Sequence, residues 1–123
     1  MKLPSIRFIA LVLSAFLLLS ACADPNDQYI QGTWDRSDIH ILDYWVFDRG
    51  TYLHKSGVQL SNPNLQSGKY QVAESDEDRL VIELFPEEST SGFFLEPYDM
   101  LIMIDKQADT LRILRKTYTR SIP

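Results

Sequence analysis

Two histidines and an aspartate are the residues of this chain best suited to metal or proton chemistry. Asp38 and His40 stand two positions apart, so their side chains share one face of a predicted strand and can orient each other or contribute to a metal site. Whether His54 joins them depends on the hairpin loop between two predicted strands. A three-residue loop with Gly50 at the positive-φ bulge position places His54 on the face of His40, and a two-residue loop places it on the other face. We expect the three-residue loop, with solvent-exposed histidines and no metal.

The single cysteine, Cys22, is a soft nucleophile that lies directly behind an apolar stretch. A short basic segment precedes this stretch, which spans residues 8–19, and two small residues follow it. These are the three parts of an export signal, and the stretch is too short to span a bilayer as a helix. The pattern predicts a signal peptide over residues 1–21.

The residues Leu19-Ser20-Ala21-Cys22 resemble the lipobox of bacterial lipoproteins. The resemblance implies that the Cys22 thiol receives a diacylglycerol, that cleavage occurs before it, and that the new amino group is acylated. Two or three acyl chains anchor a protein to a lipid bilayer firmly, whereas one chain gives only marginal binding. The expected location is the cell envelope, on the outer face of the plasma membrane or on the outer membrane. Residues 22–28 are then the lipidated cysteine and a short tether.

Neither the composition nor the motifs indicate catalysis or nucleic-acid binding. The chain has 123 residues with 17 acidic and 12 basic side chains, and it lacks the basic footprint that displaces counterions from a nucleic acid. The sequence contains no nucleophile elbow, zinc-binding helix motif or phosphate-binding loop. We therefore expect no enzyme, no cofactor and no nucleic-acid partner.

Residues 29–123 have the pattern of a single all-β domain. Short runs rich in β-branched and aromatic residues alternate with turn clusters, and no run has sustained helical spacing of apolar residues. About eight short strands without long crossovers predict an antiparallel meander, and closing it into a small barrel hides the sheet edges. The predicted strands cover residues 29–36, 39–47, 51–55, 69–74, 79–85, 93–96, 100–105 and 110–118.

Alternation within the predicted strands indicates which side chains face the interior. A domain of about 100 residues buries roughly 60–68% of its unfolded surface, which makes one core feasible. The predicted core residues share one parity within each strand and are Ile39, Ile41, Trp45, Phe47, Tyr70, Val72, Leu80, Ile82, Leu84, Leu111 and Ile113.

Four short motifs in this domain resemble the lipocalin-like domains of small bacterial lipoproteins. They are Gly32-Thr33-Trp34 and the segments FDRGTY at 47–52, GKYQV at 68–72 and DTLRI at 109–113. The resemblance implies a barrel in which Trp34 closes the floor beneath a basic side chain from near the end of the chain. A cation–π contact suits this pair, and the sequence leaves Arg112, Arg115 and Arg120 open as the partner.

A barrel of this size is either filled by its own side chains or holds one small ligand. Trp45, Phe47, Tyr52 and Tyr70 either line such a cavity or pack the interior. The resemblance implies a binding module for a small apolar or amphipathic ligand, which needs a connected pocket of at least ~300 Å³. The alternative is an envelope protein with a filled barrel that binds a protein partner or has a structural role. Its predicted loops are residues 56–67 and 86–99.

Overall fold

The structure is a computed structural model that describes residues 24–59, 62–90 and 96–121. The predicted signal peptide over residues 1–21 and the predicted lipid-attachment residue Cys22 lie outside the described residues. In chain order the elements are α1 (Pro25–Ile30), β1 (Gly32–Asp35), β2 (Ile41–Asp48), β3 (Thr51–Val58), β4 (Asn64–Ser75), β5 (Arg79–Ser89), β6 (Tyr98–Asp105), β7 (Thr110–Ile113) and β8 (Lys116–Arg120).

The eight strands form a closed antiparallel barrel in which each strand pairs with the next one along the chain. β1 completes the barrel against β8, with Trp34 opposite Arg120 and Asp35 opposite Thr119. Because β1 pairs with β8, none of the described strands is a terminal edge strand of an open sheet. The predicted all-β meander barrel of about eight antiparallel strands is confirmed.

The short helix α1 covers one end of the barrel, which we call the floor. Asp24 is its N-cap, because the Asp24 carboxylate accepts hydrogen bonds from the backbone N–H groups of Asn26 and Asp27 at 2.9 and 3.1 Å. Pro25 occupies the first helical position, where its missing N–H costs nothing. The helix is joined to β4 by a hydrogen bond of 3.1 Å from Asn26 Nδ2 to Ser75 Oγ.

The prediction of a short tether through residue 28, followed by a strand from Tyr29, is wrong for the residues that α1 occupies. Asp24 to Asp27 belong to the folded domain, and Ile30 is fully buried at the end of the helix. A helix of six residues is too short to display apolar periodicity, so only its cap and its proline mark it in the sequence.

The barrel end opposite the floor, which we call the mouth, lies where β3 ends and β4 begins. β4 and β5 extend further toward the mouth than predicted: β4 starts at Asn64 rather than at residue 69, and β5 continues to Ser89. The predicted strand at 93–96 lies outside the described residues except for Glu96, which precedes β6. The predicted loops are wrong for residues 56–58, 64–67, 86–89 and 98–99, which belong to strands.

A β-bulge allows β4 and β5 to continue toward the mouth. The register shifts between Ser67 and Gly68, and Gly68 pairs with Pro86. A Cβ atom at Gly68 would lie 2.1 Å from the carbonyl oxygen of Phe85, so only glycine fits here. Pro86 is tolerated inside a strand because it sits at this irregularity.

The last predicted strand, over residues 110–118, is two strands in the structure. β7 and β8 are joined by a turn at Leu114-Arg115, whose φ angles are 51° and 66°. Two-residue hairpin turns with positive φ usually contain Asn or Gly, so the sequence carries no signal for this one.

The interior is filled by apolar side chains from all eight strands. Ile39 and Ile41 were predicted in the core, but they are 84% and 37% exposed. They lie at the mouth end of β2, beyond the layers in which side chains from other strands pack against each other. Val72 is partly buried against the core. The predicted core residues confirmed as buried are Trp45, Phe47, Tyr70, Leu80, Ile82, Leu84, Leu111 and Ile113.

Candidate functional site

The hairpin between β2 and β3 decides which polar side chains enter the barrel. Its turn has two residues, Arg49 and Gly50, with φ angles of 44° and 84°, and Trp45 lies directly opposite His54. The predicted three-residue loop is therefore wrong, and so is the shared face of His54 and His40. A two-residue turn with positive φ at both positions matches the twist of the strands. Because one residue of loop length reverses the facing of a whole strand, His54 points inward.

A buried carboxylate, that of Asp43 in β2, is the centre of a polar group inside the barrel. Its side chain is 2% exposed. Asp43 Oδ1 lies 2.9 Å from His54 Nε2, and Oδ2 accepts a hydrogen bond of 3.0 Å from the Tyr118 hydroxyl. Arg36 Nε forms an ion pair with the same Oδ2. We call Arg36, Asp43, His54 and Tyr118 the Asp43 cluster.

Backbone contacts hold Arg36 beside Asp43 at the end of β1. The Arg36 N–H donates to the Asp43 carbonyl oxygen at 3.0 Å, and the Ser37 hydroxyl accepts a hydrogen bond of 2.8 Å from the Asp43 N–H. The Arg36 guanidinium carbon is 5.9 Å from the centre of the Tyr118 ring, within cation–π range. Three strands and one connection therefore supply the cluster.

Asp43 is ionised in spite of its burial. Burial by itself raises the pKa of this carboxyl group, but hydrogen bonds from His54, Arg36 and Tyr118 together hold the pKa of Asp43 below its ordinary value of 3.8. The hydrogen bond to Asp43 also raises the pKa of Arg36. The interior of the barrel thus contains a charge-balanced ion pair.

The His54 imidazole is neutral at neutral pH, because burial lowers its pKa more than Asp43 raises it. An ionised carboxylate can only accept, so Nε2 carries the ring proton and Nδ1 remains a hydrogen-bond acceptor. The ring stacks on Trp45 with centroids 3.9 Å apart and planes 7° apart. The stack and the Asp43 contact together fix the orientation of the ring.

We expect acidification to destabilise the protein, because burial sets the pKa of His54 below its ordinary value of 6.5. The unfolded chain then takes up the His54 proton at a higher pH than the folded chain does. The free energy of unfolding is therefore constant above this range and falls as the pH drops from about 6.5 to the folded pKa, by about 1.4 kcal/mol for each unit between the two values. The lowered pKa of Asp43 acts in the same direction at lower pH.

Urea unfolding at pH 7.5, 6.5 and 5.5 measures this dependence. His54→Gln should flatten the pH profile in this range, whereas His40→Gln, at an exposed position, should retain it. A profile that is the same in His54→Gln as in the parent protein would contradict the assignment to His54.

A cavity of about 190 Å³ lies at the mouth, between the ends of β3, β4, β5 and β6. His54 forms its inner wall and connects it to the Asp43 cluster. With His54 neutral, none of the lining side chains among the described residues carries a charge. The lining residues are His54, Ser56, Asn64, Leu65, Gln66, Ser89 and Tyr98.

Two phenols orient the side chain of Gln66 in the cavity wall. The hydroxyls of Tyr52 and Tyr98 both donate to Gln66 Oε1, at 3.0 and 2.5 Å. Burial raises the pKa of both tyrosines, so both are neutral donors. The Gln66 Nε2 group has no hydrogen-bond partner among the described residues, and its N–H donors remain available.

The four aromatic residues predicted to line a ligand pocket come together in the packed core instead of lining the mouth cavity. Trp45 and Phe47 are stacked with centroids 5.7 Å apart, and Phe47 meets Tyr70 edge-on at the same separation. Tyr52 reaches the cavity only through Gln66. The Tyr70 hydroxyl instead donates to Asp27 at the floor, at 2.7 Å. The mouth cavity is also smaller than the ~300 Å³ expected for a ligand pocket.

The floor contains the predicted tryptophan and its cationic partner. Trp34 is fully buried, and its Nε1 donates to the Ile30 carbonyl oxygen at 2.8 Å. Of the three arginines left open by the sequence, Arg120 is the partner: its guanidinium carbon is 4.2 Å from the Trp34 ring centre. Gly32 has a φ of 116°, which lets the chain turn from α1 into β1.

Asp38 and His40 form a turn rather than a binding site. Asp38 Oδ1 accepts hydrogen bonds of 2.7 Å from the backbone N–H groups of His40 and Ile41. The prediction of exposed histidines holds for His40 and is wrong for His54, whose side chain is 25% exposed.

Sequence reasoning missed most of this site. The sequence does indicate that Asp43 needs a partner. It shares the parity of Ile41 and Trp45 in β2, and an unpaired charge at an inward position is costly. No sequence pattern identifies the partners of Asp43, because they come from distant parts of the chain. The missed residues are Arg36, Asp43, Gln66, Tyr98 and Tyr118.

No helix within residues 24–59, 62–90 and 96–121 is long and apolar enough to cross a membrane. The same three segments contain no group of three or more His, Cys, Asp or Glu side chains placed to hold a metal ion. Compared with protein-family models, curated proteins and solved structures, the chain has no match.

Proposed function

We propose that this protein is a lipid-anchored, extracytoplasmic binding module that takes a small amphipathic molecule into the mouth of its barrel. The export signal and the lipobox ending at Cys22 support the location. The observation that carries the binding function is the mouth cavity, whose inner wall is a histidine held by a buried, ionised aspartate.

The cost of the Asp43 cluster supports a functional role. Removing the Asp43 carboxylate from water costs several kcal/mol, and a barrel filled by apolar side chains of similar volume is often as stable or more stable. Buried groups with shifted pKa values next to a cleft are typical of functional sites. A cavity of about 190 Å³ suits a ligand smaller than the drug-sized molecules that occupy pockets of ~300–1,000 Å³.

The length of the tether supports a ligand that enters from the aqueous compartment. Asp24 is bound to the floor by hydrogen bonds to α1 and by one of 3.0 Å from Ser75 Oγ. Only Ala23 separates it from Cys22, so an acylated Cys22 would lie within about 8 Å of Asp24. β4 has 12 residues and runs from Asn64 at the mouth to Ser75 at the floor, roughly 35 Å along the strand. An anchor at Cys22 would therefore place the floor against the bilayer and the mouth away from it.

Native mass spectrometry of the protein expressed from its full-length gene and extracted from membranes tests this proposal. We expect fatty acids on Cys22 and a retained small molecule, and we expect Cys22→Ala to leave the membrane fraction. Ser56→Met fills the cavity and should lose the retained molecule, whereas Lys55→Met, the neighbouring outward position on β3, should keep it. An unacylated parent that partitions like Cys22→Ala would contradict the anchor. Equal retention in Ser56→Met would contradict the binding site.

A second candidate function is docking of a protein partner on the outside of the barrel. Leu101, Met103 and Leu114 are exposed apolar side chains, and they lie beside Arg112 and Arg115 around a shallow groove of about 320 Å³. If this surface carries the function, Leu101→Lys should abolish capture of an envelope protein and Ser56→Met should not affect it.

A further inference from the structure

We infer that the mouth cavity selects an uncharged ligand whose polar group both accepts and donates a hydrogen bond, such as a primary amide. The acceptor on the protein is His54 Nδ1, and the donor is Gln66 Nε2. This inference rests on the proposed function and names the class of ligand that the site takes.

His54 presents an acceptor because its other ring nitrogen is already used. Nε2 lies 2.9 Å from Asp43 Oδ1, and Asp43 is held in the ionised form by Arg36 and Tyr118. The ring proton therefore stays on Nε2. Nδ1 has no partner in the part of the chain that the structure describes, and the ring forms part of the cavity wall.

Gln66 presents a donor because its carbonyl oxygen is already used. Oε1 accepts hydrogen bonds from Tyr52 and Tyr98, which occupies both of its lone pairs. In this arrangement both phenols donate to the amide oxygen, and the amide nitrogen points away from them. The Nε2 hydrogens are then the polar atoms that Gln66 offers to the cavity.

The absence of charge in the cavity wall excludes an ionic ligand. The lining side chains include no Asp, Glu, Lys or Arg among the described residues. Asp43 and Arg36, which lie behind His54, form an ion pair and neutralise each other. An ammonium or carboxylate ligand would lose hydration without gaining a counter-charge, and this makes its transfer into the cavity unfavourable.

Both polar groups are held in place before a ligand arrives. Trp45 supports the His54 ring by stacking at 3.9 Å, and two phenols hold the Gln66 amide. Little side-chain entropy is lost on binding, so a small ligand can bind measurably with few contacts. Ser56 and Asn64 add further polar atoms to the rim of the cavity.

Three probes of similar size test this inference: propionamide, propionate and propylammonium. The full-length protein is reconstituted in lipid nanodiscs and titrated by NMR, with the His54 ring nitrogens and the Gln66 side-chain amide as reporters. We expect propionamide to shift His54 Nδ1 and Gln66 Nε2 in a saturable way, and to bind at least tenfold more tightly than either charged probe.

Gln66→Glu should reverse this preference. The new carboxylate keeps the two phenol bonds and so preserves the fold, but it removes the donor and adds a negative charge. Propionamide should bind at least tenfold more weakly to this variant and propylammonium at least tenfold more tightly, whereas Gln107→Glu, in the exposed turn between β6 and β7, should behave as the parent does. A charged probe that binds the parent as tightly as propionamide overturns the inference. So does the lack of any shift at the lining residues with all three probes, while a small molecule retained in the native mass spectrum would still support the proposed function.

Discussion

Asp43→Ala should lower the free energy of unfolding by about 3–5 kcal/mol, although it removes only a small side chain. The variant leaves the buried ends of Arg36, His54 and Tyr118 without the acceptor that all three share. Each polar group left unpaired in the interior costs about 1–3 kcal/mol, so the loss over three donors exceeds the effect of the missing carboxylate volume. Urea unfolding followed by circular dichroism measures the change.

A surface aspartate provides the matched control for this prediction. Asp48 pairs with its neighbour Arg49 at the exposed turn of the same hairpin, and Asp48→Ala should change stability by no more than about 0.5 kcal/mol. The combined variant Arg36→Met, Asp43→Leu, His54→Leu and Tyr118→Phe should recover most of the loss, because apolar packing can replace a balanced polar cluster. A loss below about 1 kcal/mol in Asp43→Ala would refute the assignment of Asp43 as the shared acceptor.

Trp34→Ala should lower the free energy of unfolding by about 3–5 kcal/mol, because the floor of the barrel would lose its largest buried side chain. Arg120 would also lose the ring beneath it, at 4.2 Å, and Ile30 its hydrogen-bond donor. The void left by this substitution would lie at the floor, where α1, β1 and β8 meet. We therefore expect faster amide hydrogen exchange in all three elements. Urea unfolding and amide exchange measure the two effects.

The partner of Trp34 can be tested separately. Arg120 donates to the carbonyl oxygens of Tyr29 and Gln31 at 2.9 and 3.0 Å, and it pairs with Asp109 at 3.2 Å. Arg120→Met should therefore cost about 2 kcal/mol through the loss of hydrogen bonds to a charged group. Arg112→Met, at an exposed position of β7, should cost little. Equal effects of the two arginine variants would show that the floor does not depend on Arg120.

The two ends of the barrel have different chemistry. The floor is closed by a helix, a buried indole and an arginine, and these contacts serve closure. The mouth keeps a cavity and a charged cluster whose burial costs stability. A binding role at the mouth would use its polar cavity, and an anchor near the floor would use the end of the barrel that α1 closes.

Much of the barrel was predictable from the sequence because it follows from local alternation. Leu80, Ile82 and Leu84 share one parity along the chain, and they are buried in β5 as predicted. Short strands, tight turns and the absence of long crossovers led to the antiparallel meander. The export signal and the lipobox are also local patterns, and the envelope location is a prediction from them alone.

Three of the mispredicted features each depend on a local conformation that the sequence leaves open. Asp48-Arg49-Gly50 can form a two-residue or a three-residue loop, and the difference reverses every side chain of β3. Leu114-Arg115 turns the chain without the residues that normally do so. Asp24 and Pro25 can begin either a helix or a linker, and their contacts with the barrel decide for the helix.

Sequence alone determined the class of fold and most of the core, and it predicts a lipid anchor at Cys22, because alternation and export signals can be read within a few neighbouring residues. Only the tertiary structure decided that Asp43, His54, Arg36 and Tyr118 meet inside the barrel and that Arg120 lies over Trp34. These contacts join residues that are far apart in the chain, and their geometry depends on strand register and barrel closure. A one-residue change in register would turn His54 toward the solvent. No local sequence pattern specifies that its partner inside the barrel is Asp43.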